Sequence, residues 1–207
     1  MDDEKFQRTK RDFKKISTPE TLKRNLINAS LILTAYELMK YSLIKQAKSF
    51  FEHDKEEWPG QCPEVSNEYK NEIAKIQKQL PNKFQKYPLL IYAAWFKEHK
   101  VLSEADFNNI VRIWRYRNKI AHELIEFLID SDFELDVKYL FEIRDIVEKA
   151  DSWWLREMEI PSNPDFDHVE VKDSDIRSGR MMILDLLISV AVELPPASKE
   201  DKSDLVH

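Results

Sequence analysis

Residues 110–129 read IVRIWRYRNKIAHELIEFLI, and their apolar positions have the spacing of one buried helical face. Side chains separated by three, four or seven residues lie on the same side of an α-helix. The residues that follow this spacing are Ile110, Ile113, Ile120, Leu124 and Phe127. The stretch therefore predicts a long helix that packs against a hydrophobic core.

The start of this helix is marked by Ser103-Glu104-Ala105-Asp106, which resembles a capping box with Asp in place of the usual Glu. We expect the helix to run from there to about Ile129. The rest of the chain supports an all-α bundle, because it holds two glycines in 207 residues and 43% of its residues are hydrophobic. One helical domain is expected over residues 1–194, with a disordered C-terminal tail at 195–207.

Further helices are predicted from caps, prolines and apolar spacing. One begins after Thr18 as N-cap, with Pro19 at its first position, and continues to about Phe51. The others are expected at 66–80, at 89–99 after Pro88, from Asp136 to near Glu159, and from Asp173–Asp175 through 194. Residues 53–64, with two prolines and a glycine, predict a loop. The last helix has an apolar excess, which either completes the core or supplies a dimer face.

Within the central stretch, Arg117 falls on the apolar face and His122 lies on the adjoining one. A guanidinium keeps its charge, so against a core Arg117 needs a carboxylate, a phosphate or a route to water. Five residues of an ideal helix turn through about 500°, so the two side chains point about 140° apart. Side-chain reach or a second subunit is therefore needed to bring both to one target.

The arrangement of Arg117, Asn118 and His122 resembles the HEPN family, whose helical domains carry an Arg, usually a polar residue after it, and then a His. The resemblance implies a metal-independent endoribonuclease of toxin-antitoxin or phage-defence systems, with the motifs of two protomers meeting in a homodimer. RNA is then the substrate, and Arg117, Asn118 and His122 are the catalytic residues. A cognate antitoxin or regulatory protein is a further implied partner.

Two alternatives to the ribonuclease remain open. In the first, the chain is a non-catalytic helical interaction module, in which Arg117, Glu37 and His122 form a buried polar network that fixes packing or dimer register. In the second, it is a toxin controlled by a nucleotidyltransferase antitoxin. The branch of the HEPN family with that control typically has a tyrosine two positions after the motif His, where this chain has Leu124.

Glu37 is the only acid in the apolar run LILTAYELMKYSLI, and an acid in such a run needs a partner. We consider two partners. Glu37 holds the Arg117 guanidinium in place, leaving its other donors for RNA phosphate, or it forms a local pair with Lys40 three residues on.

The formal net charge of −6 argues against a protein that coats nucleic acid by bulk attraction. Local charge around the motif can still contact RNA, and the candidate RNA-binding residues are Arg112, Arg115, Lys119 and, for base stacking, Trp114. For Trp114, packing in the core is the alternative.

Metal and cofactor sites are not expected. The five histidines have no recognisable metal spacing, Cys62 is the single cysteine, and two glycines do not make a phosphate-binding loop. The first residues lack the apolar core of a secretory signal, and no run approaches a membrane span, so a cytoplasmic location is expected.

Overall fold

The computed structural model describes residues 2–52, 67–166, 171–172 and 176–193. These residues are predominantly helical, with no strand among them, which confirms the predicted all-α class. None of the helices in the described ranges has the length and apolar character needed to cross a membrane. The predicted loop at 53–64, with Cys62, and the predicted tail at 195–207 lie outside the described residues.

The α-helices follow one another along the chain with short connections between most of them. In chain order they are α1 Asp2–Ser17, α2 Pro19–Glu52, α3 Asn67–Gln79, α4 Pro88–Glu98, α5 Glu104–His122, α6 Leu124–Ile129, α7 Lys138–Trp154, α8 Ile160–Ser162 and α9 Gly179–Glu193. A π-helical turn at Leu155–Glu159 joins α7 to α8, and a 3₁₀ turn follows at Pro164–Phe166.

The long helix α2 lies at the centre of the bundle and contacts α4, α5, α7 and α9. Its apolar face is buried among these helices, and α4 is buried on nearly every side, as its composition predicts. Fully buried side chains include Met39, Leu43, Trp95, Phe96, Ile110, Ile113, Ile120, Ile143 and Ile146. The core thus fixes α5, the helix that carries the Arg-Asn-His motif, directly against α2.

The capping box at the start of α5 is present, since Ser103 Oγ accepts from Asp106 N at 3.1 Å and Asp106 Oδ2 accepts from Ser103 N at 2.9 Å. The sequence predicts that this helix runs to about Ile129, but α5 is shorter. It ends at His122, where Glu123 leaves helical geometry with φ −120° and ψ 27°. The change of direction lets Phe127, on α6, pack in the core edge-on against the Tyr116 ring, 6.1 Å between centroids.

Helix α2 begins at Pro19, as predicted, and Thr18 separates it from α1, but Thr18 is not its N-cap. The Thr18 hydroxyl donates back to the Lys14 carbonyl at 2.8 Å, so it completes α1 rather than capping α2. Asp136 does serve the start of α7, because its Oδ1 accepts from Lys138 N at 3.0 Å.

The last helix, α9, begins at Gly179, later than expected. Ser178 caps it, with its Oγ accepting from Met181 N at 3.1 Å, whereas Asp173–Asp175 lie outside the described residues. One face of α9, including Met181, Leu184 and Ala191, is buried against α2 and α7. The apolar excess therefore completes the core, and it also leaves exposed apolar side chains, which are Met182, Ile183, Leu186, Val190 and Val192.

Candidate functional site

The Arg-Asn-His motif occupies the last two turns of α5. Arg117 and Asn118 are half-buried where α5 packs on α2, and His122 is exposed at the end of the helix. The apolar residues around them, such as Ile113 and Ile120, are fully buried and hold α5 in place. The motif thus sits at the edge of the core, where a buried helix face meets solvent.

Arg117 is held by two neighbouring residues of α2. Its Nη2 donates to Glu37 Oε1 at 3.1 Å, and its guanidinium carbon lies 5.2 Å from the centre of the Tyr36 ring. Nη1 makes a long contact of 3.5 Å to Asn118 Oδ1. The Nε atom is buried and makes no hydrogen bond within the described part of the chain. The Arg117 guanidinium is therefore held in one orientation, and some of its N–H groups remain free to donate to another acceptor.

Glu37 contacts both of the cations considered from the sequence. Its Oε1 accepts from Arg117, and its Oε2 accepts from Lys40 Nζ at 2.9 Å. The side chain is 47% exposed, so Glu37 lies at the rim of the apolar run rather than inside it. An exposed pair of this kind stabilises the fold by at most about 1 kcal/mol, because water screens it. Its main consequence is the orientation of Arg117.

Tyr36 is a contact of Arg117 that sequence reasoning missed. It is buried, and burial raises the pKa of its phenol to about 12, a rise that nearby Arg117 opposes and nearby Glu37 increases. The phenol is therefore protonated at neutral pH and serves as an aromatic surface for the guanidinium, not as a proton acceptor. Its position directly before the lone acid of the α2 run is the signal that could have suggested it.

His122 is the last residue of α5, and its side chain is exposed. Neither ring nitrogen forms a hydrogen bond with the described residues, so both are accessible to a substrate. Five residues separate His122 from Arg117 on a regular helix, which keeps their side chains about 140° apart.

The four candidate RNA-binding residues differ in how their side chains are used. Arg112 donates to Glu142 Oε1 at 2.6 Å, and Lys119 Nζ lies 4.1 Å from the centre of the Phe133 ring. Trp114 is half-buried, with its ring 4.5 Å from that of Tyr87. It lies two turns before His122, so it does not present an open ring beside that histidine. Arg115 is exposed to solvent.

The structure thus brings together Arg117, Asn118 and Glu37, with Tyr36 behind them. It leaves His122 at the helix end and engages Arg112, Lys119 and Trp114 in contacts within the chain. Within the described ranges, no three His, Cys, Asp or Glu side chains lie close enough to hold a metal ion.

Comparison of the chain with models of known families, with curated proteins and with solved structures finds no match.

Proposed function

We propose that this protein is a metal-independent endoribonuclease, a toxin or defence effector, that cleaves single-stranded or loop RNA at Arg117, Asn118 and His122. The observation that supports this proposal best is the position of the Arg117 guanidinium. Its guanidinium is oriented by Glu37 and the Tyr36 ring at the edge of the core, and the Arg117 side chain is still 32% exposed there. Such a cation suits an incoming phosphate, which accepts two parallel hydrogen bonds from a guanidinium.

The proposed chemistry uses the RNA's own 2′-hydroxyl as nucleophile. Its oxygen forms a bond to the adjacent phosphorus while the bond from phosphorus to the 5′ oxygen breaks. His122 takes the 2′ proton, and the departing 5′ oxygen takes up a proton from water. Arg117 stabilises the charge that develops on the phosphate, and Asn118 orients His122 or a phosphate oxygen. The products are a 2′,3′-cyclic phosphate and a 5′-hydroxyl.

The active site is proposed to be shared between two protomers. On one α5, Arg117 and His122 diverge by about 140°, so a single copy does not direct both side chains to one phosphate. A homodimer with the two α5 ends adjacent would combine Arg117 of one copy with His122 of the other. Sedimentation at micromolar concentration, with and without RNA, is expected to show a dimer. A strict monomer under both conditions argues against the shared site.

The chemistry is tested by incubating the purified protein with a structured RNA in excess EDTA. We expect cleavage to persist, a matching DNA to survive, and His122→Ala to reduce the rate by at least about 100-fold. His99→Ala is the matched control, since His99 is a partly exposed histidine at the end of α4. Loss of cleavage in EDTA, or an unaffected His122→Ala protein, overturns the mechanism.

A second candidate function is a non-catalytic interaction module. The observation that favours it is the outward stripe of α9, where Met182, Ile183, Leu186 and Val190 are exposed on one side of the helix. The sequence-based form of this alternative required a buried network of Arg117, Glu37 and His122, but Glu37 and His122 are exposed. Leu186→Lys should abolish partner binding in the module and leave RNA cleavage unchanged in the ribonuclease.

A further inference from the structure

A groove with a volume of about 420 Å³ runs along the outer side of α2, next to the candidate site. The residues that line it include Glu37, Lys40, Tyr41, Ile44, Lys45 and Lys48. Its size falls within the range of pockets that hold small molecules or parts of larger ligands, roughly 300–1,000 Å³. Sequence reasoning did not identify it.

Helical spacing explains why these residues share one face. Glu37, Tyr41, Ile44 and Lys48 are separated by four, three and four residues, so they form a single stripe along about three turns of α2. The stripe is about 16 Å long at 1.5 Å per residue. Glu37 is at one end, and the groove thus begins at the carboxylate that holds Arg117.

The charge of the groove is opposite to that of the whole chain. Lys40, Lys45 and Lys48 line it, and Glu37 is the only acid among the described residues that do. Glu37 is itself matched by Arg117 and Lys40. A positive surface of this kind on a chain with a net charge of −6 is selective for an anionic ligand at this place.

An aromatic ring lies among these cations. Tyr41 is 53% exposed, and Lys45 Nζ lies 5.3 Å from the centre of its ring, while Ile44 beside them is half-buried. An exposed ring on a partly apolar floor, flanked by lysines, is the combination with which proteins bind single strands, because bases stack on the ring and phosphates contact the cations.

We infer that this groove binds one single-stranded segment of RNA and directs it to Arg117. The inference rests on the proposed ribonuclease function, and it assigns Tyr41 to base stacking and Lys45 and Lys48 to phosphate contacts. Lys40 and Glu37 form the junction with the candidate site, since one carboxylate contacts both Lys40 and Arg117.

The experiment measures binding separately from cleavage. Fluorescence anisotropy with a labelled, fully 2′-O-methylated oligonucleotide reports binding alone, because this RNA lacks the nucleophile. We compare the wild type with Lys45→Ser/Lys48→Ser and with Tyr41→Ala. The control is Lys75→Ser/Lys78→Ser, which removes two exposed lysines with the same spacing from α3. Circular dichroism establishes that all variants are folded.

Each groove variant is expected to bind about 10-fold more weakly than the wild type, and the control to bind as the wild type does. The double lysine variant should also lower the slope of log affinity against log salt by about 1.4, for two lost phosphate contacts to a single strand. Binding to a duplex of the same sequence is expected to be weaker and independent of Tyr41.

Two results overturn the groove: a wild type that does not bind the oligonucleotide, or groove variants that bind it as tightly as the control does. Equal competition by a polyglutamate peptide also overturns it, because the surface would then recognise negative charge without RNA. If the groove variants lose binding but the wild type does not cleave unmodified RNA, the groove stands and the proposed ribonuclease function fails.

Discussion

Two polar clusters contact opposite sides of α2, and they differ in how completely their charges are matched. The first is centred on Asp151 of α7, which is 1% exposed and contacts Ser42 and Gln46 of α2. The second is the Arg117–Glu37 pair, with side chains 32% and 47% exposed. Ser42 and Glu37 are five residues apart, so the clusters lie on α2 faces about 140° apart.

In the Asp151 cluster both carboxylate oxygens are used. Oδ1 accepts from Ser42 Oγ at 2.5 Å and from Gln46 Nε2 at 2.7 Å, and Oδ2 accepts from Arg180 Nε at 2.9 Å and from Ser178 Oγ. The buried Oε1 of Gln46 has no hydrogen-bond partner among the described residues. Within this cluster it is therefore the Asp151 carboxylate whose two oxygens are both hydrogen-bonded. This one side chain ties together α2, α7 and the start of α9, which is a structural role.

The Arg117 cluster lacks that completeness. Arg117 Nε is buried with no acceptor in the described ranges, the contact to Asn118 is long, and Glu37 shares its carboxylate with Lys40. A buried donor without an acceptor costs roughly 1–3 kcal/mol. Complete matching in a buried place is therefore a feature of the Asp151 carboxylate, whereas the Arg117–Glu37 pair is partly exposed and incompletely matched.

The largest effect is expected from Asp151→Ala. Four donors lose their acceptor, and Arg180 loses its partner, so the free energy of unfolding should fall by about 3 kcal/mol or more. Chemical denaturation measures the change. Asp145→Ala, an exposed acid on the same helix, is the control and should change stability by less than about 0.5 kcal/mol. Equal stabilities of the two variants would contradict the structural role.

Sequence reasoning recovered local features and missed features that depend on distant contacts. The capping box at Ser103, the start of α2 at Pro19 and the Glu37–Arg117 pair follow from local patterns, the last because a lone acid and a lone guanidinium on apolar faces each need a partner. The Asp151 cluster has no such pattern, since its partners on α2, Ser42 and Gln46, are uncharged and do not by themselves require a carboxylate.

Two further misses concern the end of α5 and the existence of α1. The break at Glu123 is not marked by a glycine or a proline, and beyond it Phe127 packs against Tyr116. Helix α1 is docked by polar contacts, such as Arg8 to Asp130 at 2.8 Å, while its helically spaced apolar residues Phe6, Phe13 and Ile16 are exposed. Substitution of Arg117 tests whether the motif is catalytic.

Arg117→Ala should lower the rate of RNA cleavage strongly and the stability of the fold only slightly, in contrast to Asp151→Ala. RNA cleavage is expected to fall about 100-fold, because charge on the phosphate loses its stabilising donor. The free energy of unfolding should change by no more than about 1 kcal/mol, since the lost pair is partly exposed and the unmatched Nε disappears with it. Cleavage rate and denaturation midpoint are measured on the same preparation.

Arg11→Ala is the control for this variant, because it removes an exposed arginine from α1. Its cleavage rate and stability should both equal those of the wild type. If Arg117→Ala instead destabilises the fold as strongly as Asp151→Ala does, Arg117 belongs to the architecture and the contrast between the two clusters disappears.

The smallest effect is expected from Glu37→Gln. The sequence alone predicts that this change weakens both stability and activity. The exposed side chain limits the stability loss to less than about 1 kcal/mol, and the amide oxygen can still accept from Arg117. We expect cleavage to fall about 5-fold because Arg117 is less firmly oriented.

The double variant with Arg117→Ala should cleave no more slowly than Arg117→Ala alone, since Glu37 acts through that guanidinium. A further loss in the double variant would show that Glu37 acts through its other partner, Lys40, or on the RNA itself. Glu20→Gln, an exposed acid in the first turn of α2, is the control and should leave cleavage unchanged.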